Sequence, residues 1–223
     1  VVVLGHHPTR DPLPTKNSQL SDRKEAELIE KWLTRFRETS KGKGAIYISG
    51  HAHTVHLERV EGVPYMVTGS AGKSPYGAPA NGGFYAWTMF GIDPTAKREK
   101  LFGPEHAADL DRKDSEWIKA EVRPILESIT INAPSSMTVG ETVTISADGH
   151  QAGNLTFPLR YPATVTWEGS KNVFVGTGKA LERAKDSGKY NATFDPKFGE
   201  LTALKSGSIE LKVISNEVES VIA

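Results

Sequence analysis

The chain has 223 residues with 27 basic and 27 acidic side chains, hence no formal net charge, so it lacks the basic excess that marks nucleic-acid or anionic-membrane binding. Cysteine is absent, which excludes disulfides and thiolate metal sites. No apolar run approaches the roughly 20 residues of a membrane-spanning helix, and the length suits one large or two modest domains with real cores.

The sequence opens in an apolar β-type run, Val1-Val2-Val3-Leu4, which ends in Gly5-His6-His7-Pro8. A buried strand normally needs neighbours on both sides, so the expectation is that this chain is the C-terminal piece of a longer protein. Prolines at 8, 12 and 14 then impose an irregular loop. A helix follows, with Ser21 or Asp22 as cap, Glu25 at the capping-box offset from Asp22, and Leu28, Ile29, Trp32, Leu33 and Phe36 as its apolar stripe. Gly42 and Gly44 end it. The run Ala45 to Ser49 reads as a second strand, closed by Gly50-His51-Ala52-His53. Val55–Val60 and Val63–Val67 read as a hairpin turning at Glu61-Gly62. Ser70 to Gly83 is a Gly- and Pro-rich loop, and Phe84 to Ile92 another buried strand. Strand, loop, helix and strand followed by antiparallel strands predict α/β layers in this half.

From 93 to 124 the character changes. Asp93-Pro94-Thr95 reads as a turn and Lys100 to Gly103 as a last short strand. The charged stretch 104–124, with Trp117-Ile118 as its only adjacent large apolar pair, reads as a partly helical connector ending at Pro124. From 125 to 223 short alternating runs predict an all-β domain: Ser128–Ile131, Glu141–Ala147, Ala163–Trp167, Tyr190–Phe194, Glu200–Leu204 and Ile209–Ile214. The predicted fold class is therefore α/β followed by an all-β sandwich.

Two histidine blocks placed at the ends of apolar runs are the chemistry-bearing feature. A rigid strand ending in Gly and then imidazole aims ligands into a cleft, and neutral imidazole is the commonest protein metal ligand. Gly5-His6-His7-Pro8 and Gly50-His51-Ala52-His53, in that order with a strand before each and a helix between, resemble the last two signature blocks of the calcineurin-like metallophosphoesterases, the superfamily that includes purple acid phosphatases. The resemblance covers residues 1–103 and implies the C-terminal half of an αββα sandwich. It implies His6 and His51 on one metal ion and His53 on its partner, the ions being Fe, Mn, Zn or Co. The substrate would be a phosphate mono- or diester. Two ions of such a centre polarise phosphoryl oxygens and lower the pKa of a bound water toward about 7. The family's earlier blocks, which supply the bridging Asp, an Asn ligand and a further His, have no counterpart here. Those groups are expected from a missing N-terminal half, and the fragment alone is expected to bind metal weakly and to carry no catalytic residue. No substrate-binding residue is assigned.

The second half resembles a bacterial Ig-like (Big-type) domain through Val139-Gly140-Glu141-Thr142-Val143, Val165 to Ser170 and Gly199 to Gly207. That resemblance implies an immunoglobulin-like sandwich and an extracellular or cell-surface bacterial location, with a cell-envelope polymer as a further partner. Its strand pairing is open around 176–189, where the sequence is longer than the usual link. The alternative function is an extracellular spacer, adhesion or carbohydrate-binding module on a degenerate phosphoesterase half. Of the remaining candidates, His7 reads as a residue that packs or lines the cleft, and His56 as structural at the site's border. His106 and His150 read as exposed loop residues. Lys73, Tyr76 and Asn81 to Gly83 sit in a loop that could face substrate, with loop flexibility and a solvated charge as the simpler account.

Overall fold

The computed structural model describes residues 1–40, 43–92, 98–100 and 116–223. Strand outweighs helix, at 40% against 16%, and the chain divides into two compact units. The first comprises 1–125 with 161–164, the second 126–160 with 165–223.

In the first unit β1 (Val2–Leu4) leads through a long loop to α1 (Arg23–Thr39), then β2 (Ile46–Ser49), β3 (Val55–Val60), β4 (Val63–Thr68), β5 (Ala86–Ile92), β6 (Arg98–Lys100) and β7 (Glu116–Pro124). The helix starts where the capping rule places it. Asp22 is the cap, and its carboxylate accepts the backbone N–H groups of Lys24 and Glu25 at 2.9 and 3.1 Å, satisfying donors that have no intrahelical partner. Glu61 and Gly62 both take positive φ, 49° and 79°, as the two-residue turn of a twisted hairpin requires. The first sheet runs β1-β2-β4-β3, with β1, β2 and β4 mutually parallel and β3 antiparallel to β4. The second runs β5-β7-β6.

Parallel strands are stable when both faces are covered, and this is how the first sheet is built. On one face Ile29, Leu33 and Phe36 of α1 pack on Val3, Tyr47, Val60, Val63 and Tyr65. On the other, Val2, Ile46, Ile48 and Leu57 meet Phe90, Trp117, Ile118 and Ala120 of the second sheet. All four residues of β2 are buried as a result. The helix's apolar stripe divides: Leu28 and Trp32 are 42% and 62% exposed, because only the arc through Ala26, Ile29, Leu33 and Phe36 faces the sheet. A four-layer αββα arrangement is not evident, since the described residues of this unit carry one α-helix.

The connector expected over 104–124 needs correction at its end. Residues 116–124 form a nine-residue strand at the centre of the second sheet, antiparallel to β5 and parallel to β6. Its charges mark one face of a strand rather than a solvated linker. Ile118 and Val122 are buried, while on the alternate positions Glu121 pairs with Lys119 and with Arg123, and Arg123 lies over the Trp87 ring. The turn at 93–95 and the connector over 104–115 lie outside the described residues, as do Leu101 to Gly103 of the short strand expected there.

The second unit contains β8 (Ser128–Asn132), β9 (Thr142–Thr144), β10 (Ser146–Gln151), β11 (Leu155–Pro158), β12 (Thr166–Gly169), β13 (Val173–Val175), α2 (Gly178–Asp186), β14 (Ala192–Asp195), β15 (Glu200–Ala203), β16 (Leu211–Ser215) and β17 (Val218–Ile222). They form sheets β11-β10-β8, β12-β16-β17 and β13-β14-β15-β9 around a core of Ile145, Val173, Ala192, Phe194, Leu201 and Leu211, with Trp167 against it. The single run expected over 141–147 is two strands that pair in different sheets, with buried Ile145 at the switch. The segment 176–189 holds α2, which links the parallel pair β13 and β14; a parallel connection needs such a crossover. Leu181 and Ala184 are its buried residues.

Ile46, fully buried between the two sheets of the first unit, and Leu4, 75% exposed, give opposite expectations. Ile46→Ala should destabilise by about 2–5 kcal/mol in urea unfolding, and Leu4→Ala should stay within about 0.5 kcal/mol. Equal effects would contradict the packing described.

Candidate metal centre

The two histidine blocks lie at the C-terminal ends of neighbouring parallel strands, the edge of such a sheet where ligands are usually bound. The β1–β2 register pairs Leu4 with Ile48, and the backbone stays zipped beyond it. Gly5 N–H donates to the Ile48 carbonyl at 2.9 Å, and Gly50 N–H to the His6 carbonyl at 3.1 Å. The Tyr47 hydroxyl donates to the His7 carbonyl at 2.8 Å, which fixes the bend after β1. Gly5 is required here: a Cβ would stand 1.9 Å from the Tyr47 hydroxyl oxygen. At Gly50 a Cβ would meet nothing. The second block turns sharply, with His51 and His53 in the left-handed region at φ 59° and 45°, a conformation uncommon outside glycine that often marks functional sites.

This geometry brings His6 and His51 together. His6 Nε2 and His51 Nδ1 are 2.9 Å apart. His7 joins them, its ring centroid 3.9 Å from that of His51 and 4.9 Å from that of His6, and one ring nitrogen from each of the three lies within 4.8 Å of the others. His53 does not belong to that cluster. Its Nδ1 lies 3.1 Å from the Ser74 carbonyl, and its ring stacks on Tyr76 at 4.2 Å and 26°. Tyr76 N–H in turn donates to the His53 carbonyl at 3.1 Å, and the Lys16 ammonium sits 5.3 Å from the Tyr76 ring centre. Among the described residues the cluster is purely imidazole, with no carboxylate.

Burial, together with the nearby His7, His6 and His53 rings and Lys73, holds the His51 imidazole below its ordinary pKa. A depressed value keeps the ring neutral and able to donate a lone pair. The loop after the first block is tied down as well. Arg10 makes two hydrogen bonds to the Glu30 carboxylate, 3.0 and 2.9 Å. Burial pushes that carboxyl up, but the Arg10 hydrogen bonds and the Arg10 and Arg23 charges outweigh it and hold it below the usual range.

The remaining candidates fall into place around this. Asn81 to Gly83 serve packing: the Asn81 carbonyl accepts the Thr54 hydroxyl, and a Cβ at Gly82 or Gly83 would strike backbone oxygen at 2.0 or 1.9 Å. Ser70 bonds the backbone of Lys73 at both its N–H and its carbonyl. His56 is half-buried within β3. His150 is a correction: it lies in β10 of the second unit, between the hydroxyls of Thr130 and Thr156 at 2.8 and 3.1 Å, not in a loop. His106 lies outside the described residues. The chain matches no protein-family model, no curated protein and no solved structure.

Gly5→Ala should cost about 1–3 kcal/mol through overpacking against Tyr47, read by urea unfolding. An unchanged midpoint would show that Tyr47 yields and that the strand end is not held as described.

Proposed function

We propose that this chain is the histidine-bearing part of a secreted, metal-dependent phosphoesterase of the calcineurin-like type, its second unit an Ig-like spacer. The observation that carries the reading is the approach of His6 and His51 from two separate strand ends to 2.9 Å. Two nitrogens about 2.0–2.1 Å from one ion lie about 2.9 Å apart at a right angle and about 3.3–3.4 Å apart at the tetrahedral angle, so the pair needs to open by at most about 0.5 Å to share an ion. The donor chemistry fits too, since imidazole suits Zn, Fe, Co and related divalent ions. The stacking of one helix and two sheets is compatible with three layers of an αββα sandwich.

In this reading His6 and His51 hold one ion, and His53, with Nδ1 engaged by Ser74, keeps Nε2 for the other. When bound, the ions supply Lewis acidity toward a phosphoryl oxygen and a nucleophile from water. The chain's own contribution is positional. The zipped strand ends fix two imidazoles, Ser74 and Tyr76 orient the third, and the bent loop 8–18 walls one side. Carboxylate ligands to bridge two ions belong to a complementary segment, and substrate choice among phosphate mono- and diesters belongs to its loops. The all-β second unit, with no histidine cluster among its described residues, suits a spacer on the outside of a bacterial cell.

The test is metal content and hydrolysis of p-nitrophenyl phosphate and its bis-ester by the full gene product. Two ions per chain and metal-dependent turnover are expected, with His51→Ala lowering turnover by about 100-fold or more. Metal content and turnover indifferent to His51→Ala would refute the reading.

A further inference from the structure

We infer that His7 completes a three-histidine site with His6 and His51, and that this site holds one divalent transition-metal ion using residues of this chain alone. The inference rests on the metal reading of the cluster but needs neither a second ion nor phosphoester chemistry.

His7 is held both at its ring and at its backbone. Its Nδ1 lies 3.3 Å from the Ser18 carbonyl. With a proton on Nδ1 donated there, Nε2 is left as the ring's lone-pair nitrogen, the arrangement by which a second partner fixes a ligating histidine's tautomer and plane. That carbonyl is itself held. Asp11 accepts the Ser18 N–H at 2.6 Å and the Leu13 N–H at 2.7 Å, folding the loop around one carboxylate, and Ser18 is buried. Leu20 N–H closes the loop onto the Pro8 carbonyl at 2.8 Å. The His7 backbone is pinned by Tyr47. Asp11, Ser18 and Tyr47 therefore position His7 before any ion arrives.

Adjacent residues in an extended strand point to opposite faces, so a regular continuation of β1 would separate His6 from His7. The chain bends at these two residues instead, and both rings contact His51, at 4.8 and 3.9 Å between centroids. One ring nitrogen from each of the three lies within 4.8 Å of the other two, so one cation can draw on all three. Three protein nitrogens with one open position form a familiar tetrahedral metal set. Among the described residues the cluster holds imidazole alone, a donor set that favours a borderline ion such as Zn²⁺, Co²⁺, Ni²⁺ or Cu²⁺ over Mg²⁺ or Ca²⁺.

Cobalt titration of the 223-residue chain tests this, read by visible absorption, with thermal unfolding of each variant as a check on folding. One equivalent of Co²⁺ should bind with an intense tetrahedral spectrum. His7→Ala should weaken it by at least about 10-fold and alter the band shape, while His150→Ala, in β10 of the second unit, should leave affinity and spectrum unchanged. Asp11→Asn, whose amide oxygen can accept only one of the two N–H groups, should weaken binding less than His7→Ala, as a positioning residue does. Unchanged affinity in folded His7→Ala would overturn the inference while leaving the phosphoesterase reading intact. No Co²⁺ uptake by the folded chain would overturn it as well.

Discussion

Everything at the candidate centre depends on the parallel pairing of β1 with β2 and its continuation past the strands. Two backbone hydrogen bonds, Gly5 to Ile48 and Gly50 to His6, carry the register into the segments that bear the imidazoles. Without them the blocks are two unrelated loops separated by more than forty residues. With them, a nitrogen from each block lies within hydrogen-bond distance of the other. The pairing holds because β2 is covered on both sides, by α1 and by the second sheet, which excludes water from a strand pair that is otherwise marginal.

This dependence joins core packing to ligand geometry. Tyr47 belongs to the core beneath α1, yet its hydroxyl reaches the backbone of His7; burial also raises its pKa, so it stays a neutral donor. Gly5 exists to let that hydroxyl pass. The positive-φ turn at His51 and His53 is anchored by Ala52 and Thr54, the residue after each, both of which are buried. Rigid support of this kind holds side chains in place ahead of any ligand.

Much of this was legible in the sequence because local rules and tertiary packing agree there. Asp22 caps the helix, Glu61-Gly62 turns the hairpin, and both histidine blocks sit at strand ends. Three features were not legible, each for a physical reason. Residues 116–124 read as a linker because their alternate positions carry Lys119, Glu121 and Arg123, whose mutual neutralisation appears only once the strand is formed. The crossover helix α2 and the sheet switch at Ile145 follow from pairings distant in sequence. His7 reads from the sequence as a residue that packs or lines the cleft, since nothing local shows where its ring turns. The bend after Gly5 brings its ring against His51, and the Ser18 carbonyl of the proline-rich loop lies beside its Nδ1, a contact distant in sequence. The neighbours of His53, Ser74 and Tyr76, were equally hidden, since they come from a loop with no periodic signal.

The central claim is that two strand ends deliver their histidines to one point. Long-range ¹H–¹⁵N correlation of the imidazole nitrogens, before and after one equivalent of Zn²⁺, tests it most directly. The account predicts that His6 Nε2 and His51 Nδ1 shift together and saturate at the same ratio, because they serve one ion. Titration of the two rings at different ratios, or no shift in either, would contradict it.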